Sequence, residues 1–239
     1  MTDTSTRLDI RRAASRFHTR TAWLDSWHSF SFGHHFDDRN THHGLLLVSN
    51  EDRVRPNTGF GTHRHRDMEI VTWVLSGELE HRDSAGNHGL LRPGIVQRMS
   101  AGTGIEHSEQ NPSATAEVHF IQMWVPPDTD GLDPSYEQRD VSDALDDGGL
   151  QIVASGLGDD CAIRIHQRDA SLSAGRLGAH DCVTLPTAAH AHLFVARGTA
   201  RLSTGDDLYA GDAVRMTGGG GMDLTALSSE TEILLWATA

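Results

Sequence analysis

Apolar and polar residues alternate along most of the chain, and this period of two predicts β-strands rather than helices. The strongest segment, EIVTWVL at 69–75, is rich in β-branched and aromatic residues. The turn sequence DSAGN at 83–87 predicts a hairpin, and Pro126-Pro127 ends a long strand because proline has no N–H to donate to a sheet. The strands predicted in the first half are 69–75, 78–82, 95–99 and 117–125.

The second half repeats this pattern of strands and turns. It follows a linker at 128–148 that is rich in Asp, Gly, Pro and Ser and includes a predicted short helix, VSDALDD. A strand, a turn glycine and a second strand occur at 73–80 and again at 194–201. This similarity predicts two copies of one barrel-like unit, with domains at 1–135 and 136–239. The strands predicted in the second half are 162–166, 193–195, 200–203, 213–216 and 232–236.

Two pairs of candidate metal ligands have the spacing that a strand requires. Residues i and i+2 of a strand point to the same face, so His63 and His65 direct two imidazoles at one point, and His107 and Glu109 repeat the arrangement. Two such pairs on facing strands would supply three imidazoles and one carboxylate. Nitrogen and oxygen donors of this kind suit Fe, Ni, Cu, Mn, Co or Zn. The sequence therefore predicts one divalent transition metal per chain, held in the first domain.

Other histidines and carboxylates fit a ligand role less well. His190 and His192 lie 8 and 6 residues before Gly198, so they match the stretch around Glu69 rather than the ligand pair, which lies 14 and 12 residues before Gly77. The role of Glu69 stays open between a metal ligand, a partner that supports a ligand, and a solvated or structural residue. Four histidines are interpreted as solvated or rim residues, namely His34, His35, His42 and His43, and Glu78 and Glu80 are interpreted as one face of a hairpin.

Charge and cysteine content narrow the classes of partner. The formal net charge of −13 disfavours direct binding to nucleic acid, because the phosphate backbone is also negative. The two cysteines, Cys161 and Cys182, are too few for a disulfide-stapled secreted domain. The N-terminal sequence has no apolar signal segment, and no apolar run reaches membrane-spanning length. These features predict a cytoplasmic protein with no membrane partner.

The ligand segments resemble cupin proteins and, more closely, the pirin family. The pirin-like segments are WLDSWHSFSF at 23–32, GFGTHRHRDMEIVTWVLSGELEHRDS at 59–84, MSAGTGIEHSEQNP at 99–112 and QMWVPP at 122–127. A cupin motif would place a glutamate ligand at Glu69, but its spacing from Gly77 is one residue short. The pirin variant takes its carboxylate from the HSE of the second motif, which points to Glu109. The resemblance implies a bicupin of two jelly-roll-like β-barrels, the second degenerate.

Bacterial pirins that resemble this chain oxidise the flavonol quercetin, so the resemblance implies an Fe(II)-dependent dioxygenase whose substrates are a flavonol and dioxygen. Glu109, or a nearby carboxylate, would take the proton of the flavonol 3-hydroxyl, and Phe60, Met68 and Trp73 are candidate walls of the pocket. Three alternatives stay open, and one of them is a folded barrel whose activity on flavonols is incidental. Eukaryotic pirins act as iron-dependent cofactors of transcription regulators, which implies a protein partner, and cupin folds also host enzymes that act on other small substrates.

Overall fold

The computed structural model describes residues 6–158, 161–219 and 221–239, and nearly all of its regular structure is β-strand, which confirms the all-β fold class. The first twelve strands are β1 (Arg7–Arg11), β2 (Phe17–Arg20), β3 (Leu24–His28), β4 (Val48–Val54), β5 (Gly59–His65), β6 (Glu69–Ser76), β7 (Leu79–Asp83), β8 (His88–Leu91), β9 (Ile95–Ser100), β10 (Ile105–Gln110), β11 (Val118–Val125) and β12 (Ser135–Asp140). A 3-10 turn lies at Ala13–Ser15, and the predicted linker helix is α1 (Ser142–Asp146).

The second half contributes ten strands among the described residues. They are β13 (Gln151–Ser155), β14 (Ile163–Arg164), β15 (Ala170–Leu177), β16 (Cys182–Thr184), β17 (Ala188–Arg197), β18 (Thr199–Leu202), β19 (Asp207–Tyr209), β20 (Ala213–Gly219), β21 (Asp223–Ala226) and β22 (Thr231–Thr238).

Each half combines a seven-stranded sheet with a four-stranded sheet. The first half has the orders β12-β9-β6-β11-β4-β3-β2 and β5-β10-β7-β8. The second half has the orders β1-β20-β17-β22-β15-β13-β14 and β16-β21-β18-β19. Position for position these orders are equivalent, so the predicted duplication and the bicupin architecture are confirmed.

The two halves exchange their edge strands. β1 precedes the first barrel but pairs with β20 of the second, and β12 follows the first barrel's other strands and pairs with β9. Residues before the first barrel therefore complete the second sheet, and residues of the linker complete the first. The predicted domain boundary between residues 135 and 136 stays a prediction, because β1 and β12 pair with strands on the other side of it.

The two faces of β6 have different surroundings. Ile70 and Val74 face the interior of the first barrel, whereas Val71, Trp73 and Leu75 belong to an apolar core that both halves share. In that shared core the indole Nε1–H of Trp73 donates a 2.6 Å hydrogen bond to Glu232 of β22. The polar end of a fully buried indole is thus satisfied by the opposite half, which fixes the two barrels against each other.

The interior of the second barrel is apolar where the first barrel carries its candidate ligands. β16 and β21 take the positions of β5 and β10 in the sheet order, and Val183 and Leu224 from these strands pack into a continuous aliphatic core. His190 and His192 lie on β17, the equivalent of β6, as their spacing from Gly198 predicts. Within the described residues, no helix is long and apolar enough to cross a membrane.

His192 gives the stability of the protein a defined pH dependence. This side chain is 2% exposed, and burial, with smaller contributions from Arg215 and His43, lowers its pKa to about 3. Because the folded pKa lies below the unfolded value near 6.5, the unfolded chain takes up a proton that the folded chain excludes. Stability should therefore fall as pH drops from about 6.5 towards 3, by up to ~1.4 kcal/mol per pH unit from this one group.

His192→Asn removes this titration, so we expect the variant to lose less unfolding free energy than the wild type between pH 7.5 and pH 5.0. Urea unfolding at both pH values measures the difference. The control is His180→Asn, an exposed position with a positive φ of 74° that asparagine tolerates. If His192→Asn and the control show the same pH dependence, this account of His192 is wrong.

Candidate metal centre

The candidate ligands lie on two antiparallel neighbours in the small sheet of the first barrel. β5 and β10 pair so that His107 is opposite His63, and the register shifts between His107 and Glu109. The two backbones approach closely at Gly59, where an added Cβ would collide with the carbonyl oxygen of Glu109. A glycine is therefore required at the position where the irregular pairing brings Glu109 towards the barrel interior.

Three histidines converge in this barrel. One ring nitrogen from each of His63, His65 and His107 lies within 4.8 Å of the other two. The ring centroids are 4.4 Å apart for His63 and His107 and 4.9 Å apart for each of the other two pairs. The predicted i, i+2 geometry thus brings the three imidazoles of the predicted set to one point.

The nitrogen atoms at this point have the properties of metal donors. The Nε2 atoms of His65 and His107 are buried and have no hydrogen-bond partner among the described residues. Burial, with the neighbouring histidines, lowers the pKa of His65 to about 4 and that of His107 to about 2. Both rings are therefore neutral at neutral pH, the state in which imidazole offers a lone pair to a metal. Buried lone pairs without partners fit a divalent cation.

Contacts on the far side of the His63 and His107 rings indicate which nitrogen of each faces the centre. The Nδ1 of His63 lies 2.8 Å from the carbonyl oxygen of Gly61, which can only accept, so Nδ1 carries the proton. On β7, His81 Nε2 lies 3.2 Å from Asp83 Oδ2, and its Nδ1 lies 3.5 Å from the Nδ1 of His107. A chain from Asp83 through His81 thus orients His107 with Nε2 towards the centre.

Glu109 lies beside the three-histidine cluster. A carboxylate oxygen of Glu109 and one ring nitrogen each of His81 and His107 lie within 4.8 Å of one another. Glu109 is not part of the group formed by His63, His65 and His107. It is 2% exposed, and its two oxygens accept hydrogen bonds of 2.9 and 2.8 Å from the Nε2 of Gln122 on β11. Burial raises its pKa to about 7, against the lowering effect of Gln122. The carboxyl is thus placed and tuned to exchange a proton near neutral pH.

His81 was not among the predicted site residues, and we expect it to support metal binding through His107. His81→Phe keeps a buried ring but removes the link to Asp83, so the metal dissociation constant should rise by about 10–100-fold, as for other partners of ligating histidines. Competition with a chromogenic chelator measures it. His88→Phe, on the same hairpin but exposed and bonded to Glu80, is the control. Equal affinities of the two variants would show that His81 does not orient the ligand.

A cavity of about 570 Å³ opens onto the cluster and touches His63, His65 and Glu109. Two aromatic pairs line it: Trp23 meets Phe60 edge to face at 5.1 Å, and Phe32 meets Trp124 in the same way at 5.6 Å. Its walls are mainly apolar, as a site for a small aromatic ligand requires.

The structure confirms one of the predicted walls and corrects two. Phe60 lines the cavity. Trp73 does not, because it points into the core between the two halves, and Met68 packs against a separate apolar cluster with Ile105.

A polar group that the sequence did not predict lies on the β3 and β4 side of the same cavity. Ser26, His28, Asn50 and Asp52 all line it. His28 bonds to the Asn50 side-chain oxygen at 2.9 Å and to the hydroxyl of Thr19 at 2.9 Å. Burial raises the pKa of Asp52 to about 7, and the Ser26 hydroxyl opposes this shift. The cavity therefore has a second polar region besides the histidine cluster.

Glu69 has a structural position. It is 1% exposed and accepts hydrogen bonds from the Ser100 hydroxyl at 2.8 Å and from the backbone N–H of His166 at 3.0 Å. These contacts join the two halves, and Glu69 is not part of either ligand group found among the described residues. Of the other weighed residues, His34, His42 and Glu78 are exposed, and Glu80 pairs with Arg82 and His88 at the surface.

Comparisons with known protein families find a matching family for each half of the chain. Residues 9–125 match the profile of the pirin family, and residues 152–236 match that of the quercetinase C-terminal cupin domain. A relative from Mycobacterium tuberculosis, whose name provisionally assigns it as a quercetin 2,3-dioxygenase, is 55% identical over 230 residues, which are 96% of this chain and 94% of the relative. The quercetin 2,3-dioxygenase of Escherichia coli K12 is 46% identical over 158 residues, or 66% of this chain and 67% of that protein.

Comparisons with solved structures lead to the same family. The bacterial pirin YhhW of Escherichia coli, in complex with nickel(II), superposes with a TM-score of 0.88 at 35% identity, covering 97% of this chain and 99% of that chain. Another crystal structure of YhhW gives 0.89 at 35% identity over 98% of both chains. Fold and comparisons together define a two-domain cupin protein. Within that class, the chain belongs to the pirin family.

Proposed function

We propose that this protein is a metal-dependent dioxygenase that cleaves flavonols such as quercetin, and that His63, His65, His107 and Glu109 hold one divalent metal, with Fe(II) as the preferred ion. The observation that carries the proposal is the convergence of three imidazoles, with a buried carboxylate beside them, on an aromatic-lined cavity of about 570 Å³. Relatives named for quercetin dioxygenase activity support the reaction, and the nickel(II) complex of YhhW supports a single divalent site.

The metal, when bound, would supply charge stabilisation for the deprotonated substrate and access to dioxygen chemistry. The donor set does not by itself select iron, because imidazole and carboxylate also suit nickel, cobalt, copper, manganese and zinc. Iron is proposed from the resemblance to iron-dependent pirins, so the choice of metal is tested separately from the choice of residues.

Glu109 would take the proton from the flavonol 3-hydroxyl. Burial raises its pKa above that of an ordinary carboxyl group, which is the direction that favours a group able to take up a proton. The amide of Gln122, which bonds both carboxylate oxygens, would hold Glu109 in place through this exchange. The Nε1–H of Trp124 in turn donates to the Gln122 side-chain oxygen at 3.1 Å, so the amide orientation is fixed by a wall of the cavity.

The apolar walls would hold the planar rings and exclude bulk water. Trp23, Phe60, Phe32 and Trp124 offer the flat and edge contacts that aromatic rings prefer. Dioxygen is the oxidant, and the balanced reaction converts a flavonol and one dioxygen into the ring-opened ester and one carbon monoxide. The protein's part in this step is to orient the deprotonated substrate and to keep water away from it.

Oxygen uptake with quercetin tests the proposal. Protein stripped of metal and reloaded with Fe(II) under anaerobic conditions should consume oxygen when quercetin and air are admitted, and metal-free protein should not. Parallel loading with Ni(II), Mn(II) and Co(II) would rank the metals. Absence of uptake with each of these metals, at one metal bound per chain, would refute the proposed reaction.

A regulatory metal protein is the second candidate, and one surface feature favours it. Phe36 is 77% exposed on the loop whose residues Phe32, Gly33 and His34 line the cavity mouth. An exposed aromatic residue there offers a contact for a protein partner that would respond to metal loading. Inactivity of the metal-loaded protein towards flavonols, combined with oxygen uptake on no other aromatic substrate, would favour this function over a dioxygenase.

A further inference from the structure

A small enclosed cavity lies between the two halves and shares no lining residue with the cavity at the histidine centre. Three arginines line it, Arg11, Arg16 and Arg215, together with Ser29 and His192, and no carboxylate is among the described residues around it. The centre of a water-sized sphere can occupy about 10 Å³ of this space. The cavity therefore has room for one water molecule or one small ion.

Arg215, on β20, is a buried cation without an acidic partner. It is 7% exposed, and no carboxylate oxygen of the described residues lies within 4.0 Å of its guanidinium nitrogens. Its contacts are neutral: it donates to the Ser29 carbonyl oxygen at 2.9 Å and to the Asn40 side-chain oxygen at 2.6 Å, and its Cζ lies 4.4 Å from the centroid of the Phe30 ring. These contacts hold the guanidinium but do not neutralise it, and a buried charge is costly unless it is paired.

The other two arginines each have a carboxylate of their own. Arg16 lies 2.7 Å from Glu51, and both side chains are nearly buried. Arg11 lies 3.7 Å from Asp9. Asp9 is opposite Arg215 in the β1–β20 register, but its side chain is 48% exposed and pairs with Arg11. Three cations thus share two carboxylates, which leaves one uncompensated positive charge beside the cavity.

The pKa values of two lining residues reflect this excess of positive charge. Burial and then the charge of Arg215 lower the pKa of His192, which is opposite Arg215 in the β17–β20 register. Burial and the charge of Arg11 lower the pKa of Arg215 itself to about 10, with Asp9 opposing the shift. An anion in the cavity would oppose both shifts, because it favours the charged form of each group.

We propose that this cavity is a binding site for one small monovalent anion of the size of chloride, held by the guanidinium of Arg215. One negative charge balances the excess, and the space is too small for sulfate, phosphate or an organic anion. Ser29 and Asn40 of the first half and His192 and Arg215 of the second surround the site, so the ion would stabilise the packing of the two halves. This inference does not depend on the proposed dioxygenase activity.

Bromide, which scatters X-rays anomalously, tests whether an ion occupies the cavity. Crystals of the metal-loaded protein soaked in sodium bromide should show an anomalous peak in contact with Arg215. Arg215→Met keeps an unbranched side chain over Phe30 but removes the charge, so its crystals should show no peak. Arg201→Met is the control and should keep the peak, because Arg201 pairs with Asp207 at the surface of the same half. A wild-type map without a peak in the cavity would overturn the proposal.

Thermal unfolding tests binding in solution. The metal-loaded wild type should unfold at a higher temperature in about 0.15 M sodium chloride than in sodium gluconate of equal ionic strength, because gluconate is too large for the cavity. If the dissociation constant is about tenfold below the chloride concentration, the shift should be about 3–6 °C. Arg201→Met should show the same shift and Arg215→Met none, whereas Arg215→Lys, which keeps the charge without the planar guanidinium, should show a smaller one.

The two measurements together decide whether the cavity is an anion site. A bromide peak beside Arg215, with a chloride shift that Arg215→Met abolishes, supports the site. A peak without a chloride-specific shift means an adventitious ion only, and an equal shift in Arg215→Met means a general salt effect; either result overturns the proposal. If Arg215→Met does not fold, Arg215→Lys replaces it, and a chloride shift in that variant equal to that of Arg201→Met overturns the proposal.

Discussion

His63→Ala should abolish both metal binding and flavonol turnover. Loss of one of three converging imidazoles removes a proposed ligand, so the metal dissociation constant should rise by more than the roughly 100-fold upper range seen for partners of ligands. His63 is only half-buried, so the substitution leaves no large cavity and the fold should persist. Metal content after dialysis and oxygen uptake with quercetin are the two measurements.

The control for this variant is His34→Ala. His34 lines the same cavity but is exposed and belongs to neither ligand group among the described residues. It should keep one metal per chain and most of the turnover. A His63→Ala protein that retains one metal per chain and turns over quercetin would contradict the assignment of the centre to these histidines.

The positions of His63, His65 and His107 could be predicted because the information is local. A strand sends i and i+2 to one face whatever its neighbours are, so two HxH-like pairs can be identified from spacing alone. Glu109 required more, since a register shift separates it from His107 in the pairing with β5. Its spacing from His107 and the resemblance to pirins both pointed to it, and the structure places it beside the cluster rather than within the three-histidine group.

His81, Gln122 and Asp52 could not be predicted in the same way. His81 and Asp83 do have the i, i+2 spacing of the ligand pairs, so spacing offered a signal for His81. Each of the three residues reaches the site only because a particular register puts it there. Asp52 is opposite Phe120 on β11, two residues from Gln122, and His81 is opposite Glu109 on β10. Strand spacing gives the face of a side chain relative to its own strand, but pairing between distant segments decides which side chains meet.

Trp73 shows the limit of a continuous apolar run. In EIVTWVL both faces of the strand are apolar, so the sequence could not show which face borders the cavity. The odd-numbered face packs between the halves, where Glu232 satisfies the indole, and Glu69 on the same face bonds His166 of the second half. The exchange of β1 and β12 between the two halves could not be predicted either, because no local sequence pattern shows which sheet an edge strand joins.

The duplicated fold explains why the described residues form a candidate metal centre in the first barrel and not in the second. Both barrels share one strand order, yet the strands equivalent to β5 and β10 carry CVT and DLTA in the second barrel. Apolar packing there replaces polar ligands and requires no buried polar group to be satisfied. The second barrel instead supplies Glu232 and the backbone of His166, which anchor β6 of the first. Its contribution to the site is therefore mechanical support.

Glu109→Gln should separate metal binding from proton transfer. The amide is isosteric and can still accept a hydrogen bond from Gln122 through its oxygen, so the side chain should stay in place. It cannot accept the substrate proton, and we expect turnover to fall by about 10²–10⁴-fold while the three histidines retain the metal. Steady-state oxygen uptake, with metal content measured on the same sample, tests both parts.

The matched control for this variant is Glu106→Gln, on the same strand but exposed to solvent, which should leave turnover unchanged. The two measured quantities decide the role of the carboxylate. Turnover lost with the metal retained would make Glu109 chiefly the base, whereas turnover and metal lost together would make it chiefly a ligand. Turnover above one-tenth of the wild-type rate would contradict both roles, and Asp52, the other carboxyl in the cavity lining, would then be the group to test as the proton acceptor.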